Sequence, residues 1–359
     1  MTCKERLRAA LLGKAVDRVP WSPNLAYFWE HQPKELQQKG QLSFMQSIGA
    51  DPLFRGSHNV CKTIRNNVNI RTEHVGREFY NIYETPIGTL REGYRYSEEG
   101  NTAFIIDHPV KTIQELKVLS YIYEHTTVEP DFEPLHQEID ALGENGLHIP
   151  LFHEACKTAF QSLLEKWVGT EVLNYLLFDD PNVVKETLTV MQRVSTISAE
   201  IAAQSNAIGF IFWEDTSTTN LSPAQFQTFV LPEINQWGDC FHAADKLLIH
   251  HACGYIKDLI SMMSESHIDF IESMSPPPTG NIEVWDAKKV LGREIGIIGG
   301  IEPTVLLYSS LEELEHYVIS LIEKMGKERY ILANSDSCPP GVDYKKFQLI
   351  TRCVRNYSS

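Results

Sequence analysis

The 359-residue chain has no long apolar run and carries fewer positive than negative charges. No stretch reaches the roughly 20 apolar residues of a membrane-spanning helix, and the charged start, residues 1–7, lacks the apolar centre of a signal peptide. There are 32 Lys and Arg against 47 Asp and Glu, which gives a net charge of -15. Nucleic acids and anionic membranes both attract basic surfaces. The composition therefore argues against either partner.

Cysteine is scarce and irregularly placed. The seven cysteines are an odd number, and their spacing fits no disulfide framework. In a chain with no export signal, such cysteines are typical of reduced thiols or metal ligands. We therefore expect a cytoplasmic protein whose thiols are available to bind a metal.

Apolar strand-like segments alternate with amphipathic helical segments along the chain, which predicts an α/β fold. No Gly-x-Gly-x-x-Gly follows the first strand, so a doubly wound open sheet is only the alternative. We predict a single (β/α)8 TIM barrel domain over residues 1–359. An antiparallel β ribbon is expected as an insertion near residues 68–106, because ~40 residues cannot bury a core of their own. The strand signals lie at residues 17–21, 50–55, 148–154, 209–215, 246–251, 268–272, 294–300 and 329–334.

A His-x-Cys pair ends the predicted fifth strand. His251 and Cys253 are two positions apart, so their side chains point to the same side if the strand continues. An imidazole and a thiolate suit zinc. In a barrel the carboxyl ends of all strands meet at one mouth, which adds Glu272 from the sixth strand and Cys338 after the eighth. These four residues predict a zinc site in which Glu272, the weakest ligand, is displaced by substrate.

A zinc ion held in this way would convert an incoming thiol to a thiolate, which suits alkyl transfer to sulfur. Simpler interpretations exist for two of the ligands. A strand-end cysteine such as Cys338 is often a small buried hydrophobic residue, and Glu272 could instead accept a backbone N–H at the barrel rim.

Three further acids end predicted strands. Glu154 follows the third strand, and Glu214 and Asp215 end the fourth. At the barrel mouth each could orient substrate or act as a general acid or base. The alternative for each is a hydrogen bond to a loop amide.

Several segments together resemble the uroporphyrinogen decarboxylase superfamily over nearly the whole chain. The family fold is a (β/α)8 barrel, and its members have two chemistries: cofactor-free decarboxylation of uroporphyrinogen, and zinc-dependent methyl transfer between corrinoid proteins and small substrates. The segments that carry the resemblance are Thr2-Cys3-Lys4-Glu5-Arg6, residues 9–13, Asp17-Arg18-Val19-Pro20, Leu221-Ser222-Pro223, Phe229, Leu231-Pro232, residues 251–254 and Gly299-Gly300-Ile301.

The resemblance implies the second chemistry, as in methylcobamide:coenzyme M methyltransferases. In that branch a His-x-Cys and a distant cysteine hold zinc, and here these look like His251, Cys253 and Cys338. Glu272 sits where cobalamin-independent methionine synthases, more distant relatives in fold, look to have a glutamate. The corrinoid (cobalamin) would be carried by a separate partner protein, because the chain has no evident cobalamin-binding domain.

The sequence departs from true decarboxylases at the first strand. Their arginine-rich stretch, which grips the substrate propionates, has no counterpart in residues 19–27, and Arg55 is the only arginine expected near the mouth. We therefore predict a methyltransferase whose small methyl donor or acceptor, a thiol or a methoxylated or methylamine-type compound, contacts Tyr27, Phe28, Arg55 and Trp213. A metal-independent decarboxylase is the alternative, and a non-catalytic zinc-binding protein a third hypothesis. An exposed apolar patch on a barrel face would indicate a homodimer.

Overall fold

A computed structural model of the chain describes residues 1–98 and 102–357. Its strands are β1 (Leu53–Asn59), β2 (Cys61–Arg65), β3 (Asn69–Val75), β4 (Glu78–Thr85), β5 (Gly88–Ser97), β6 (Thr102–Asp107), β7 (Thr126–Pro130), β8 (Leu147–Leu151), β9 (Gly209–Trp213), β10 (Leu247–His251), β11 (Phe270–Met274), β12 (Gly296–Ile301) and β13 (Tyr330–Asn334).

The α-helices are α1 (Cys3–Leu11), α2 (Ala26–Glu30), α3 (Lys34–Gln37), α4 (Gln41–Ile48), α5 (Ile113–Glu124), α6 (Glu133–Leu142), α7 (Ala159–Ser162), α8 (Thr170–Asp179), α9 (Pro181–Ala202), α10 (Pro223–Gln225), α11 (Leu231–His242), α12 (Ile260–Ser264), α13 (Val284–Leu291), α14 (Pro303–Tyr308), α15 (Leu311–Met325) and α16 (Tyr344–Asn356). Two π-helical turns, Leu163–Trp167 and Phe226–Val230, extend α7 and α10. Within the described part of the chain, no helix is both long and apolar enough to cross a membrane.

Parallel strands form the centre of this α/β fold. Strands β9 to β13 make a five-stranded parallel sheet in sequence order, and β1 pairs with β8 in parallel. The parallel ladders of the described residues form these two separate groups. Long crossovers with helices join the strands, as parallel pairing requires.

The prediction of a first strand at residues 17–21 was wrong. Only Trp21 bridges a neighbour, Leu332 of β13. Leu332 N donates to Pro20 O and Ser22 N donates to Leu332 O, both at 2.9 Å. Prolines at positions 20 and 23 have no N–H to donate, so the pairing stops after these two bonds.

The buried apolar side chains form two clusters. The smaller one takes residues from β1 and from every strand between β8 and β13, including Ile149, Ile211 and Ile298, and it packs against Leu7 and Leu11 of α1. The larger cluster lies between the strands and the other helices. Strands that are covered on both faces read as continuous apolar runs, which explains the sequence Gly-Phe-Ile-Phe-Trp of β9.

A buried ion-pair network holds α1 against the start of β1. Asp51 is fully buried and accepts hydrogen bonds from Arg6 Nη1 (2.7 Å), Arg18 Nη1 and Nη2 (2.7 and 2.9 Å) and Trp21 N (3.0 Å). Arg6 also binds Asp17, with both contacts at 2.6 Å. Each oxygen of Asp51 is therefore bonded twice.

The predicted insertion is present as a four-stranded antiparallel sheet, β3-β4-β5-β6. Residues 99–101, which the predicted ribbon also included, lie outside the described residues. A second antiparallel pair, β2 with β7, was not predicted. Its strands lie more than 60 residues apart in sequence, and no local turn signal joins them.

Candidate metal centre

Three potential metal ligands converge where β9 and β10 end. One ligand atom each from Asp215, His251 and Cys253 all lie within 4.8 Å of one another. The register of the sheet explains this, because Trp213 of β9 lies opposite His251 of β10. Asp215 is two residues beyond Trp213 and Cys253 two beyond His251. Asp215 Oδ1 is 3.6 Å from His251 Nε2 and 3.8 Å from Cys253 Sγ.

The imidazole of His251 is oriented by Glu272. His251 lies opposite Glu272 in the pairing of β10 with β11, and its Nδ1 is 2.6 Å from Glu272 Oε2. This contact leaves Nε2 facing Asp215. A histidine that binds a metal through one ring nitrogen commonly donates the other N–H to a carboxylate. The pair therefore presents Nε2 as the ligand atom.

Buried charges surround this pair. Arg55 Nη1 is 3.4 Å from Glu272 Oε1, and both side chains are buried. Within the described residues neither of these two atoms has a hydrogen-bond partner. Trp213 lies edge-on against His251 with the ring centres 4.9 Å apart. The centre thus holds a buried ion pair whose two nearest atoms make no hydrogen bond in the described part of the chain.

The pKa values follow from burial and these neighbours. Burial alone would lower the pKa of His251, but Glu272 and Cys253 outweigh it and hold that pKa well above its usual value. Burial raises the pKa of the Cys253 thiol, although His251 opposes this. Burial would raise the pKa of Asp215, but the Lys157 ammonium lowers it below its usual value. The neighbours of His251 thus favour its protonated form, and a metal that binds Nε2 would displace a proton from it.

The donor set fits zinc. A catalytic zinc site commonly has three protein ligands drawn from nitrogen, sulfur and oxygen donors, and leaves one position for water or substrate. Imidazole, thiolate and carboxylate supply these donors here. Among the described residues, this is the group of three such donors that lies close enough to share an ion.

Two predicted ligands lie outside this group of three. Glu272 contacts His251 Nδ1 and Arg55, as described above. Cys338 is fully buried, its Sγ is 3.7 Å from Pro339 O, and burial raises the pKa of its thiol. Cys338 follows the end of β13 by four residues, in a loop whose path the sheet register does not fix. The ligand roles of Glu272 and Cys338 stay predictions.

The three predicted acids have different surroundings. Arg65 Nη2 contacts both carboxylate oxygens of Glu154 at 2.9 Å. Glu214 is fully buried and accepts bonds from Thr158 N (2.7 Å) and Thr158 Oγ1 (2.6 Å), and burial raises its pKa to about 8. Glu214 therefore bonds to a loop amide, and the catalytic roles of Glu154 and Glu214 remain predictions. Asp215, by contrast, belongs to the ligand group.

The four residues predicted to contact substrate also differ in their surroundings. Trp213 and Arg55 lie beside His251 and Glu272, whereas Tyr27 is exposed. Phe28 is buried, with its ring centre 5.5 Å from that of Phe44 and 5.1 Å from that of Phe347. This packing places Phe28 in the hydrophobic core. Substrate contacts by all four residues remain predictions.

Lys157 was missed by the sequence reasoning. Its Nζ contacts Asp215 Oδ2 (2.7 Å), Glu165 Oε2 (2.8 Å) and Trp213 O (2.6 Å). No motif marks this lysine. Asp215 was expected only as an acid or base, but its place beside His251 could have been found, because strand alternation puts it on the same side as Trp213.

Comparison with known proteins gives one family and a set of similar folds. Residues 98–357 match the family described as "Uroporphyrinogen decarboxylase (URO-D)". A methyltransferase from Methanosarcina mazei is similar over 100% of both chains, with 14% identity and a TM-score of 0.64. No curated protein sequence matches.

Two other solved structures are similar at a lower level. A B12-independent methionine synthase from Shewanella sp. W3-18-1 aligns over 93% of this chain and 95% of its own, with 10% identity and a TM-score of 0.44. An endo-1,4-beta-mannanase from Rhizomucor miehei aligns over 95% of each chain, also with 10% identity and a TM-score of 0.44. These two similarities are weak, and the similarity to the methyltransferase, at 14% identity, concerns the fold alone.

Proposed function

Because the chain belongs to the uroporphyrinogen decarboxylase family, we propose that it is the methyl-transferring kind of member, a zinc-dependent enzyme that moves a methyl group between a corrinoid protein and a small substrate. The observation that carries this proposal is the convergence of Asp215, His251 and Cys253 within 4.8 Å at the carboxyl ends of parallel strands. Active sites of barrel enzymes are built at that edge.

The proposal assigns each residue of the centre a task. His251, through Nε2, and Cys253 would hold the zinc with Asp215, and Cys338 remains the further ligand that the family resemblance implies. When bound, zinc supplies Lewis acidity that favours the thiolate form of a thiol at neutral pH. Glu272 keeps the proton on His251 Nδ1, and Lys157 positions Asp215 through a 2.7 Å contact. Trp213 covers His251 and limits access of water.

We further infer that the parallel strands close into a single (β/α)8 barrel domain. Support comes from the inner apolar cluster, to which β1, β8 and β9 to β13 all contribute. The segment around Trp21 bridges Leu332 of β13. The next residue, Ser22, accepts a hydrogen bond at 3.0 Å from Leu53 N of β1, so this segment contacts both β13 and β1. A closed ring explains why residues from distant parts of the chain meet at one mouth.

The substrate in this proposal is a small thiol or a methoxylated or methylamine-type compound. The methyl partner is a corrinoid on a separate protein. Cytoplasmic location and a homodimer complete the proposal. Decarboxylation of a porphyrinogen is the second candidate, and the family name favours it. Arg55 is a poor site for a substrate carboxylate, because the buried Glu272 already lies 3.4 Å from it.

Methyl transfer from methylcobalamin to a small thiol tests the proposal. The absorbance change of the cobalamin should show turnover that depends on zinc, and Cys253→Ser should abolish it. Cys240→Ser, on α11 and away from the centre, is the matched control and should keep full activity. Turnover of a porphyrinogen by metal-free protein, with no demethylation of methylcobalamin, would establish the decarboxylase instead.

A further inference from the structure

A cavity lies beside the metal centre, between the inserted sheet and the helices. It encloses about 310 Å³ and is lined by residues of β2, β5, β6, α9 and α11 and of the loop after β8. Lys157, which contacts Asp215, forms part of its wall. Cavities of this size hold small organic molecules.

One wall carries a buried carboxylate without a cation. Glu233 of α11 is 2% exposed and accepts hydrogen bonds from Ser195 Oγ (2.7 Å), Ala159 N (2.8 Å) and Gln192 Nε2 (3.4 Å). All of these donors are neutral. Among the ion pairs of the described residues, none includes Glu233, and burial raises its pKa to about 7. Buried carboxylates are costly unless paired, so a positive charge in the cavity would stabilise this one.

The cations that line the cavity are already paired. Arg65 binds Glu154 at 2.9 Å, and Lys157 binds both Glu165 and Asp215. Lys166 lies 3.9 Å from Glu92. These three cations therefore face four carboxylates, and Glu233 is a fifth. An anionic ligand would have to break existing ion pairs, whereas a cation would complete a missing one.

A buried imidazole offers a second unused contact. His153, near the start of the loop after β8, is 4% exposed and lines the cavity, and its Nε2 has no hydrogen-bond partner within the described chain. Its ring packs on Trp237, which follows Glu233 by one helical turn on α11. His153 and Glu233 therefore lie in the same part of the wall. A ligand hydroxyl could satisfy the free ring nitrogen.

Aromatic rings complete the lining. Tyr94, Tyr123 and Trp167 all face the cavity, and the rings of Tyr123 and Trp167 meet edge to face with centres 6.2 Å apart. Lys166 Nζ already lies 4.7 Å from the centre of the Trp167 ring. Aromatic faces attract ammonium groups, and methylated ammonium ions are commonly bound by such walls.

From these contacts we propose that the cavity binds a small methylated ammonium ion, with Glu233 as its counter-ion, the aromatic rings around its methyl groups and His153 at a polar substituent. Binding at this site does not require the metal centre or methyl transfer. The two proposals can therefore fail separately.

Calorimetric titration of the full-length protein with choline tests the inference. Its neutral carbon isostere, 3,3-dimethylbutan-1-ol, has the same shape and hydroxyl but no charge. We expect saturable 1:1 binding of choline, at least about tenfold tighter than that of the alcohol, because aromatic faces in a desolvated site attract a cation but not its neutral isostere. Tetramethylammonium, which lacks the hydroxyl, should bind between the two.

Variants locate the site. Glu233→Gln keeps a hydrogen-bonding side chain, and we expect choline to bind to it no more tightly than the alcohol does. Unchanged alcohol binding shows that this variant is folded. Ile105→Trp, at a half-buried position of β6, should fill the cavity and remove binding of both compounds. Glu186→Gln, on an exposed position of α9, is the control and should bind choline like the parent. Equal affinities for choline and the alcohol, no choline binding, or full choline preference in Glu233→Gln would each overturn the proposal.

Discussion

Two aspartates with the same ion-pair distance have opposite surroundings. Asp51, at the start of β1, and Asp215, beyond the end of β9, each lie 2.7 Å from a cation. Asp51 is completely buried, and both its oxygens are fully bonded by two arginines and a backbone N–H. The side chain of Asp215 is 52% exposed and faces His251 and Cys253.

In this fold the residues that stabilise the structure and those that could carry chemistry lie at different edges of the sheet. Strand starts and strand ends lie on opposite edges of a parallel sheet, and barrel enzymes place chemistry at the carboxyl ends. At the strand starts, both oxygens of Asp51 are fully hydrogen-bonded within the protein. Asp51 therefore stabilises the fold and has no lone pair free for a ligand. The cluster at the ends brings ligand atoms of Asp215, His251 and Cys253 within 4.8 Å of one another, so it can hold a ligand.

Asp51→Asn should have the largest effect on stability. Removing one charge from this buried, fully bonded network leaves Arg18 without its carboxylate partner and Arg6 with Asp17 alone, and such losses amount to about 3–5 kcal/mol. Urea denaturation followed by circular dichroism measures the free energy of unfolding. Asp17→Asn, which touches the same arginine from an exposed position, is the control and should cost clearly less. Equal losses in both variants would show that burial does not decide the effect.

The surroundings of Glu233 share features with both aspartates. Its carboxylate is buried and hydrogen-bonded, as that of Asp51 is, but it has no cation as a partner among the described residues. Its folded-state pKa is raised by burial from 4.5 to about 7, so the folded protein holds the proton more tightly than the unfolded chain. The proton stabilises the fold fully below pH 4.5, and this stabilisation is lost as the pH rises to about 7. The cost at higher pH is roughly 1–3 kcal/mol.

Comparison with Glu233→Gln isolates this effect from other titrating groups. The stability of the parent relative to the variant should fall between about pH 5 and pH 8 and then level off. Urea denaturation at several pH values gives the difference. A constant difference across this range would mean that Glu233 ionises normally in the fold.

Asp215→Asn should have the smallest effect on stability, less than about 1 kcal/mol, because exposed ion pairs contribute little. Lys157 also keeps Glu165 as a partner. The same variant should lose zinc affinity, since a ligand oxygen with full negative charge is removed. Denaturation of metal-free protein and competition with a zinc chelator separate the two effects. A large loss in the free energy of unfolding with unchanged zinc affinity would contradict this, because Asp215 would then stabilise the fold as Asp51 does and would not bind the metal.

The sequence predicted most of the parallel strands and part of the site because both depend on local patterns. The continuous apolar run of β9 and the His-x-Cys at the end of β10 are readable without any long-range information. Strand register places Glu272 opposite His251. The predicted strands already put these two residues at the ends of neighbouring strands, so their proximity was expected.

What could not be predicted depends on distant contacts or on loops. The pairing of β2 with β7 joins segments with no common turn. Lys157 reaches Asp215 from a loop after β8, and Cys338 lies in a loop after β13, where no ladder fixes the backbone. Phe28 was expected at the mouth. It packs against Phe44 of α4 and Phe347 of α16 in the core, and Phe347 is too distant in sequence for this contact to be predicted.

The central claim is that Cys253 and its neighbours bind zinc, and the metal content of purified protein tests it most directly. Protein should be purified under reducing conditions without chelators and analysed by elemental mass spectrometry beside Cys253→Ser, Cys338→Ser and the control Cys240→Ser. We predict near-stoichiometric zinc in the parent and in Cys240→Ser, and loss of zinc in Cys253→Ser; the Cys338→Ser result decides whether that buried thiol is a further ligand. Parent protein without metal, or a Cys253→Ser variant that retains full zinc, would contradict the account.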